Sequence, residues 1–211
     1  MRSIILRIVF ALFVLLSLAG AECAFVASSG TGSDDKDKNG GSAGLVVVIN
    51  DGRLVDGPVQ GVHYESGSLS GVTGSNGEFQ YEEGKTIRFS IGEIVLGEGV
   101  TPRALMTPVD LVPGATLETP AVINIARLLQ SLDAVPGDKR ITIPATLRTA
   151  AAGTNEALAP AIRALDFTDD VAFVNAASQL VVTLTATYGF TAVLVDAESA
   201  RRHLLQSLAE E

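Results

Sequence analysis

Few residues of this chain have side chains suited to chemistry. It has two histidines, His63 and His203, and one cysteine, Cys23. A nucleophilic hydrolase holds a serine, threonine or cysteine against a base. Gly67-Ser68-Leu69-Ser70-Gly71 has the outline of a nucleophile elbow, but that motif needs serine at its third position, where Leu69 stands. The segment also falls between strands rather than between a strand and a helix. His63 alternates with Val62 and Tyr64 and reads as an outward-facing strand histidine. His203 follows Arg202 on a helix and reads as a surface or boundary residue. Zinc fails on ligand number. Asp35-Lys36-Asp37-Lys38-Asn39-Gly40 matches the first half of a calcium loop, yet the position that must supply a bidentate carboxylate is Val46. The carboxylate pairs Glu82-Glu83 and Asp169-Asp170 flank a turn and open a helix, where negative charge has ordinary reasons to be. Phosphate-cradling glycine loops are absent. The sequence therefore points to no catalytic residue, no cofactor and no metal site. An enzyme would have to gather Asp133, Asp138, Asp166 and Asp169 into one cleft.

The compartment is easier to read. Residues 1–21 have the build of a signal peptide: Arg2 and Arg7, an apolar stretch from Ile8 to Leu18, then Ala19-Gly20-Ala21 as a cleavage site. The apolar run is short for a membrane span. Its removal takes away two arginines and moves the formal charge from −9 to −11. Cys23 is then close to the new terminus and is a candidate for lipidation, although Glu22 stands where lipoprotein signals carry a small residue. A sole cysteine permits no internal disulfide. Residues 22–43 form a flexible linker of glycine, serine and alternating Asp/Lys, too polar to offset the entropy of ordering.

Composition narrows the partners. The chain is 47% hydrophobic and 18% charged, which is globular rather than disordered. Its acidic balance and lack of a basic stripe argue against nucleic acid and against anionic membrane surfaces. Membrane attachment is expected only through the signal peptide or an N-terminal lipid.

The elements that must position these residues fall into two groups. Residues 44–100 are a run of short strands. Leu45–Ile49 is apolar throughout, and Val62 and Tyr64 alternate with polar residues. Phe79 and Tyr81 alternate with Glu78, Gln80 and Glu82; Ile87, Phe89 and Ile91 alternate with Thr86, Arg88 and Ser90. Asn76-Gly77 predicts a two-residue hairpin. At Gly92-Glu93 the alternation slips, which marks a bulge or a tight turn. Residues 101–118 read as connecting loop, broken by Pro102, Pro108 and Pro113, with Met106–Val109 as an edge strand.

From residue 119 to 211 the period becomes helical. Thr119 and Pro120 suit a helix start, and Val122, Ile125, Ala126, Leu129 and Leu132 form an apolar face that Ile123 and Leu128 widen. Pro144–Ala152 is read as a short helix and Asn155–Leu165 as one broken at Pro160. Thr168 is expected to cap a longer helix running to about Tyr188, although Val181–Thr185 has high strand propensity. Asp196 is expected to cap Ala197–Ala209. The fold class is thus α+β: a small antiparallel β-sandwich followed by an all-α module.

Pro58-Val59-x-Gly61-Val62-x-Tyr64 and Gly71-x-Thr73-x-x-x-Gly77-x-Phe79-x-Tyr81 resemble the prealbumin-like sandwich of carboxypeptidase regulatory-like and collagen-adhesin B-type repeats. Gly74 departs from the aspartate usual there. The wider pattern, through Phe89-x-Ile91-Gly92, Leu96-Gly97 and Ile123–Asp133, resembles a group of exported proteobacterial proteins often labelled lipoproteins or adhesins. The resemblance implies a fold and a compartment. Some adhesin repeats carry a lysine isopeptide crosslink; the only lysine of the strand region, Lys85, follows Gly84 in a turn and is expected in water. The expectation is a non-enzymatic envelope protein that binds a protein or carbohydrate partner for adhesion or assembly. The alternatives are a periplasmic hydrolase using carboxylates of the helical half, and a chaperone or inhibitor acting by sheet-edge pairing.

Overall fold

The computed structural model describes residues 46–153 and 156–211. Residues 1–21, read as a signal peptide, Cys23 and the Asp35–Gly40 segment lie outside the described residues. The strand elements are β1 Ile49–Leu54, β2 Val59–Gln60, β3 His63–Ser66, β4 Leu69–Val72, β5 Glu78–Glu82, β6 Ile87–Ile91, β7 Ile94–Val100 and β8 Leu105–Met106. Then follow α1 Pro120–Ser131, β9 Ile141–Thr142, α2 Ala145–Ala150, α3 Ala159–Arg163, α4 Asp170–Ala186 and α5 Ala197–Ala209. Strands lead and helices follow, so the class is α+β.

Among the described residues three sheets are formed, with strand orders β5-β1-β8, β4-β3-β6-β7 and β2-β9. The four-stranded sheet is antiparallel throughout. The expectation of a wholly antiparallel arrangement needs correction, because β8 joins β1 in parallel and β9 joins β2 in parallel. Both parallel strands arrive late in the chain from long connections, the geometry a parallel pair requires.

The turns also sort differently from expectation. Asn76-Gly77 does not close a hairpin: β4 pairs with β3 while β5 pairs with β1 in another sheet. The backbone turns between Gly74 and Gly77, with the Gly77 amide donating to the Gly74 carbonyl at 3.0 Å, and then leaves for the second sheet. The two-residue hairpins are Gly67-Ser68, between Ser66 and Leu69, and Gly92-Glu93, between Ile91 and Ile94. Gly92 has φ +58, and a Cβ there would stand 2.3 Å from the Ala151 carbonyl carbon. The phase slip in the sequence is therefore a tight turn that glycine alone fits.

Phe79 of β5 connects the two larger sheets. Its ring lies 5.1 Å from that of Phe89 on β6, edge-on, and 6.0 Å from that of Tyr64 on β3. The same apolar cluster takes in Leu54, Met106 and Leu111, then Ile125, Leu128 and Leu129 of α1, and Phe173, Leu180 and Leu184 of α4. Strands and helices thus share one core, and Leu45–Glu211 is one compact unit. The opposite side of α1 presents Val122 and Ala126 to Ala200 and Leu204 of α5. The wide apolar face of α1 is explained by this burial on two sides.

Helix ends follow the sequence with two adjustments. Asp196 accepts from the Ser199 amide and caps α5 as expected. Asp169, not Thr168, caps α4, accepting from the Val171 and Ala172 amides. Thr168 is occupied instead in donating its amide and hydroxyl to Asp166. Thr119 opens α1 without a side-chain cap, since its Oγ1 accepts from the Thr116 amide. The strand-prone half of α4 stays helical because Leu180, Val181, Leu184 and Thr185 are buried there, and packing overrides propensity.

Candidate functional site

The convergence of ionisable groups that stands out lies where α5 meets the turn after β1. Val55, Asp56, Gly57 and Pro58 form that turn, closed by a bridge between Val55 and Pro58. Gly57 has φ +64, and a Cβ on it would sit 2.5 Å from the Lys139 carbonyl and 3.5 Å from the His203 ring. Glycine lets the turn press against α5 and the β9 approach at once. The turn sends the Asp56 side chain inward, where it is fully buried.

A carboxylate in such a place needs donors on both oxygens. His203 Nδ1 lies 3.0 Å from Asp56 Oδ1, and Gln130 Nε2 donates to Oδ2 at 2.9 Å. Gln130 Nε2 also donates to the Ala200 carbonyl at 3.2 Å. One carboxylate thus joins α1, α5 and the end of β1. Burial pushes the Asp56 carboxyl above its usual range, against the pull of His203 and Gln130. The hydrogen bond to Asp56 pushes the His203 imidazole up, against its own partial desolvation. Burial and the neighbouring charge therefore act in the direction of holding a proton in the pair.

The His203 ring lines a cleft of about 240 Å³ together with Gly57, Pro58, Asp138, Lys139 and Glu210. Two ion pairs stand close by: Lys139 Nζ to Glu210 at 3.1 Å, and Arg53 to Glu211 through two bonds of 3.0 and 3.1 Å. An imidazole with Nδ1 committed to a carboxylate offers Nε2 as a base. No hydroxyl nucleophile is set against it in the cleft lining, because Ser207 Oγ donates to the His203 backbone carbonyl at 3.0 Å. As built, the arrangement ties α5 and α1 to the turn after β1 through hydrogen bonds to one carboxyl.

The other residues weighed from sequence are dispersed. His63 is half-buried in β3, opposite Val72 and Ser90. Ser68, within the false elbow, donates its amide at 2.6 Å and its hydroxyl to Glu82, holding that carboxyl below its usual range. Glu82 is buried, against the simple alternation of β5, because the Gly67-Ser68 turn folds over it. Lys85 is exposed in its turn. Asp133 accepts from the Val135 and Thr142 amides, Asp166 from Thr168, and Asp169 caps α4, so of the four acids proposed for a hydrolase only Asp138 lines this cleft. Arg127, buried, donates to the Val195 carbonyl, Asn124 and Asp170 and lies over the Phe173 ring at 5.3 Å, which is a structural role. Among the described residues no group of three or more His, Cys, Asp or Glu is placed to hold a metal ion. Sequence reasoning missed Asp56 and Gln130. Asp56-Gly57 was a readable turn signal, but nothing in the chain marks residues 56, 130 and 203 as neighbours.

With the geometry in place, the chain can be compared with known proteins. It is 46% identical over 54 residues to "Putative lipoprotein AcfD homolog" of Escherichia coli strain K12, covering 24% of this chain and 4% of that protein. It is 44% identical over 54 residues, with the same shares, to "Putative lipoprotein YghJ" of Escherichia coli O78:H11. The chain thus spans about 4% of the length of these relatives. No family model matches, and no solved structure matches. Among the described residues no helix is long and apolar enough to cross a membrane.

Proposed function

We propose that this chain is an exported, non-enzymatic cell-envelope protein, a binding module for adhesion or envelope assembly built on a prealbumin-like β-sandwich with a helical cover. The observation that carries the reading is the shared 54-residue segment with two proteins named as lipoproteins. The signal-peptide pattern of residues 1–21 and the polar linker after it agree with that compartment. The non-enzymatic part draws on the Asp56–His203 pair, whose partners are all structural, and on the dispersal of the remaining acids. The partner is a protein or carbohydrate of the envelope, met by loops at the ends of the sheets.

Intact mass and fractionation of the protein from its native host test this reading. A mature mass that begins at Glu22, or at Cys23 with acyl chains, in an envelope or released fraction supports it. An unprocessed chain in the cytoplasmic fraction overturns it.

A further inference from the structure

We propose that Asn76-Gly77 is a modification site gated by the fold. When the turn opens, the Gly77 nitrogen attacks the Asn76 side chain and expels its amide as ammonia; while the turn is closed, Glu78 and the Gly74 carbonyl hold that reaction off. The proposal does not rest on the envelope assignment. Asn-Gly is the pair most open to this chemistry, because glycine has no Cβ to shield its nitrogen from the side chain before it. Packing requires the glycine here. Gly77 is buried with φ +80, and a Cβ on it would run into the Leu54 carbonyl oxygen. Any other residue after Asn76 would push β5 away from β1.

Every group the reaction uses is engaged in the closed turn. The Gly77 amide donates to the Gly74 carbonyl at 3.0 Å, and the Gly74 amide donates to the Glu78 carbonyl at 3.0 Å, so the loop is tied at both ends. The Gly77 carbonyl accepts from the Leu54 amide at 2.9 Å and the Asn76 carbonyl from Arg53 Nε at 3.2 Å, which fixes the peptides around the attacking nitrogen. The Asn76 side chain is exposed yet clamped. Its Nδ2 donates to Glu78 Oε1 at 2.7 Å, and its backbone amide donates to Glu78 Oε2 at 2.8 Å. A Cβ on Gly74 would collide with Glu78 Oε2, so glycine makes room for the carboxylate. The bonds from Asn76 hold the Glu78 carboxyl below its usual range, and it faces the site as an anion.

In the reaction a base in water takes the Gly77 amide proton and the nitrogen bonds to Asn76 Cγ. The Cγ–Nδ2 bond then breaks, and Nδ2 leaves with a proton as ammonia. Water opens the resulting five-membered imide at one carbonyl or the other, leaving aspartate or isoaspartate at position 76. Both the amide anion and the adduct at Cγ put new negative charge beside the Glu78 carboxylate, the reverse of an oxyanion hole. The Gly77 amide must also leave the Gly74 carbonyl before a base can reach it. Neither product fits the closed turn. Aspartate sets a carboxylate where Nδ2 had donated to Glu78. Isoaspartate adds a backbone carbon between residues 76 and 77 and moves Gly77 out of line with Leu54, beside the Arg53↔Glu78 pair. A chain that opens and reacts therefore closes again with a weakened β1–β5 ladder.

The test incubates the full chain at pH 8.5 in buffer and in urea that unfolds it, and follows residue 76 by peptide mass with isoaspartate quantified. The sequence holds one other Asn-Gly pair, Asn39-Gly40, whose rate in urea is the reference for an open chain. In urea Asn76 should react as fast as Asn39. In buffer it should react at least about tenfold slower than in urea, since the reaction waits on local opening. Glu78→Gln, which removes the charge, should raise the rate in buffer by about tenfold in a chain still folded by circular dichroism. If that variant fails to fold, Glu78→Asp, which draws the carboxylate back from Asn76, should raise it in the same direction. Asp51→Ala removes the 3.1 Å bond from Gln80 in the same ladder without touching Asn76, and should leave the rate within about twofold. Equal Asn76 rates in buffer and urea would overturn the gate. An Asn76 that stays intact in urea while Asn39 reacts would overturn the site. Equal acceleration by Asp51→Ala and Glu78→Gln would overturn the part given to Glu78.

Discussion

Asp56 shows how much one side chain can decide. It is a fully buried carboxyl whose two partners, His203 and Gln130, sit on different helices. Removing His203 leaves one oxygen of this buried group without its partner, a kind of loss that costs about 1–3 kcal/mol in proteins generally. The pair also sets a pH dependence whose sign can be worked out. His203 is raised above its ordinary value of 6.5, so its contribution is complete below that value and is lost as pH rises through the higher folded value. Asp56 is raised as well, so the native state holds its proton longer than the unfolded chain and this group too loses ground with rising pH. Glu78, Glu82, Asp166 and Asp196 are lowered by their hydrogen bonds, and their contributions disappear only as pH falls through those depressed values. Stability should therefore peak on the mildly acid side of neutrality and decline into the alkaline range. Urea unfolding at pH 6 and pH 8.5 checks this: the native protein should lose midpoint, and Asp56→Asn, which removes both the buried titrating carboxyl and the partner that raises His203, should lose less. A native midpoint that holds steady, or an equal slope in the variant, would remove the pair as the cause. At this scale the sequence was least informative. His203 read as a surface or boundary histidine beside Arg202, and it is half-buried. What no local pattern marks is its partner Asp56, 147 positions away.

At the scale of elements the sequence was a better guide, since periodicity and capping are local. The strands β3 to β7, the Asp196 cap and the wide apolar face of α1 were readable, whereas the first strand, read from its apolar run at Leu45–Ile49, runs instead over Ile49–Leu54, where pairing with β5 outweighs the polar side chains. What failed were choices between adjacent residues of similar chemistry. Asn76-Gly77 carries the stronger hairpin propensity, yet the Gly67-Ser68 and Gly92-Glu93 turns close the hairpins because the strands beside them pair. Thr168 and Asp169 both favour helix starts, and the carboxylate prevails because it accepts two amides at 2.9 and 3.0 Å. This assignment is testable by substitution. Asp169→Ala should cost about 1 kcal/mol in denaturant unfolding, while Thr168→Ala, which loses only an exposed bond to Asp166, should cost under ~0.5 kcal/mol. The reverse order would return the cap to Thr168.

Over the whole molecule the question is whether strands and helices form one cooperative structure. The sequence divides near residues 100–119 because the apolar period changes from two to that of a helix. Periodicity tells which face of an element is apolar and leaves open what that face meets. In the fold the inner faces meet each other: Phe79 and Phe89 from the sheets, Leu128 and Leu129 from α1, and Phe173 and Leu184 from α4 lie in one cluster. Either half alone would leave these residues in water, at about 2 kcal/mol for each large side chain. Two further ties act in the same sense, since Arg53–Glu211 and Asp56–His203 each join the strand segment to α5 or the residues just after it. We therefore expect a single unfolding transition in which helical circular dichroism and the fluorescence of Tyr64 and Tyr81 change together. In a Tyr188→Phe background, Phe173→Ala, a substitution in α4, should cost about 3–5 kcal/mol and move both signals to the same lower midpoint, although the remaining tyrosines, Tyr64 and Tyr81, lie in the strands. If the two signals separated, with the tyrosines keeping the native midpoint while the helices melted early, the sheets would have a core sufficient to themselves and the shared cluster would be only a contact between independent parts.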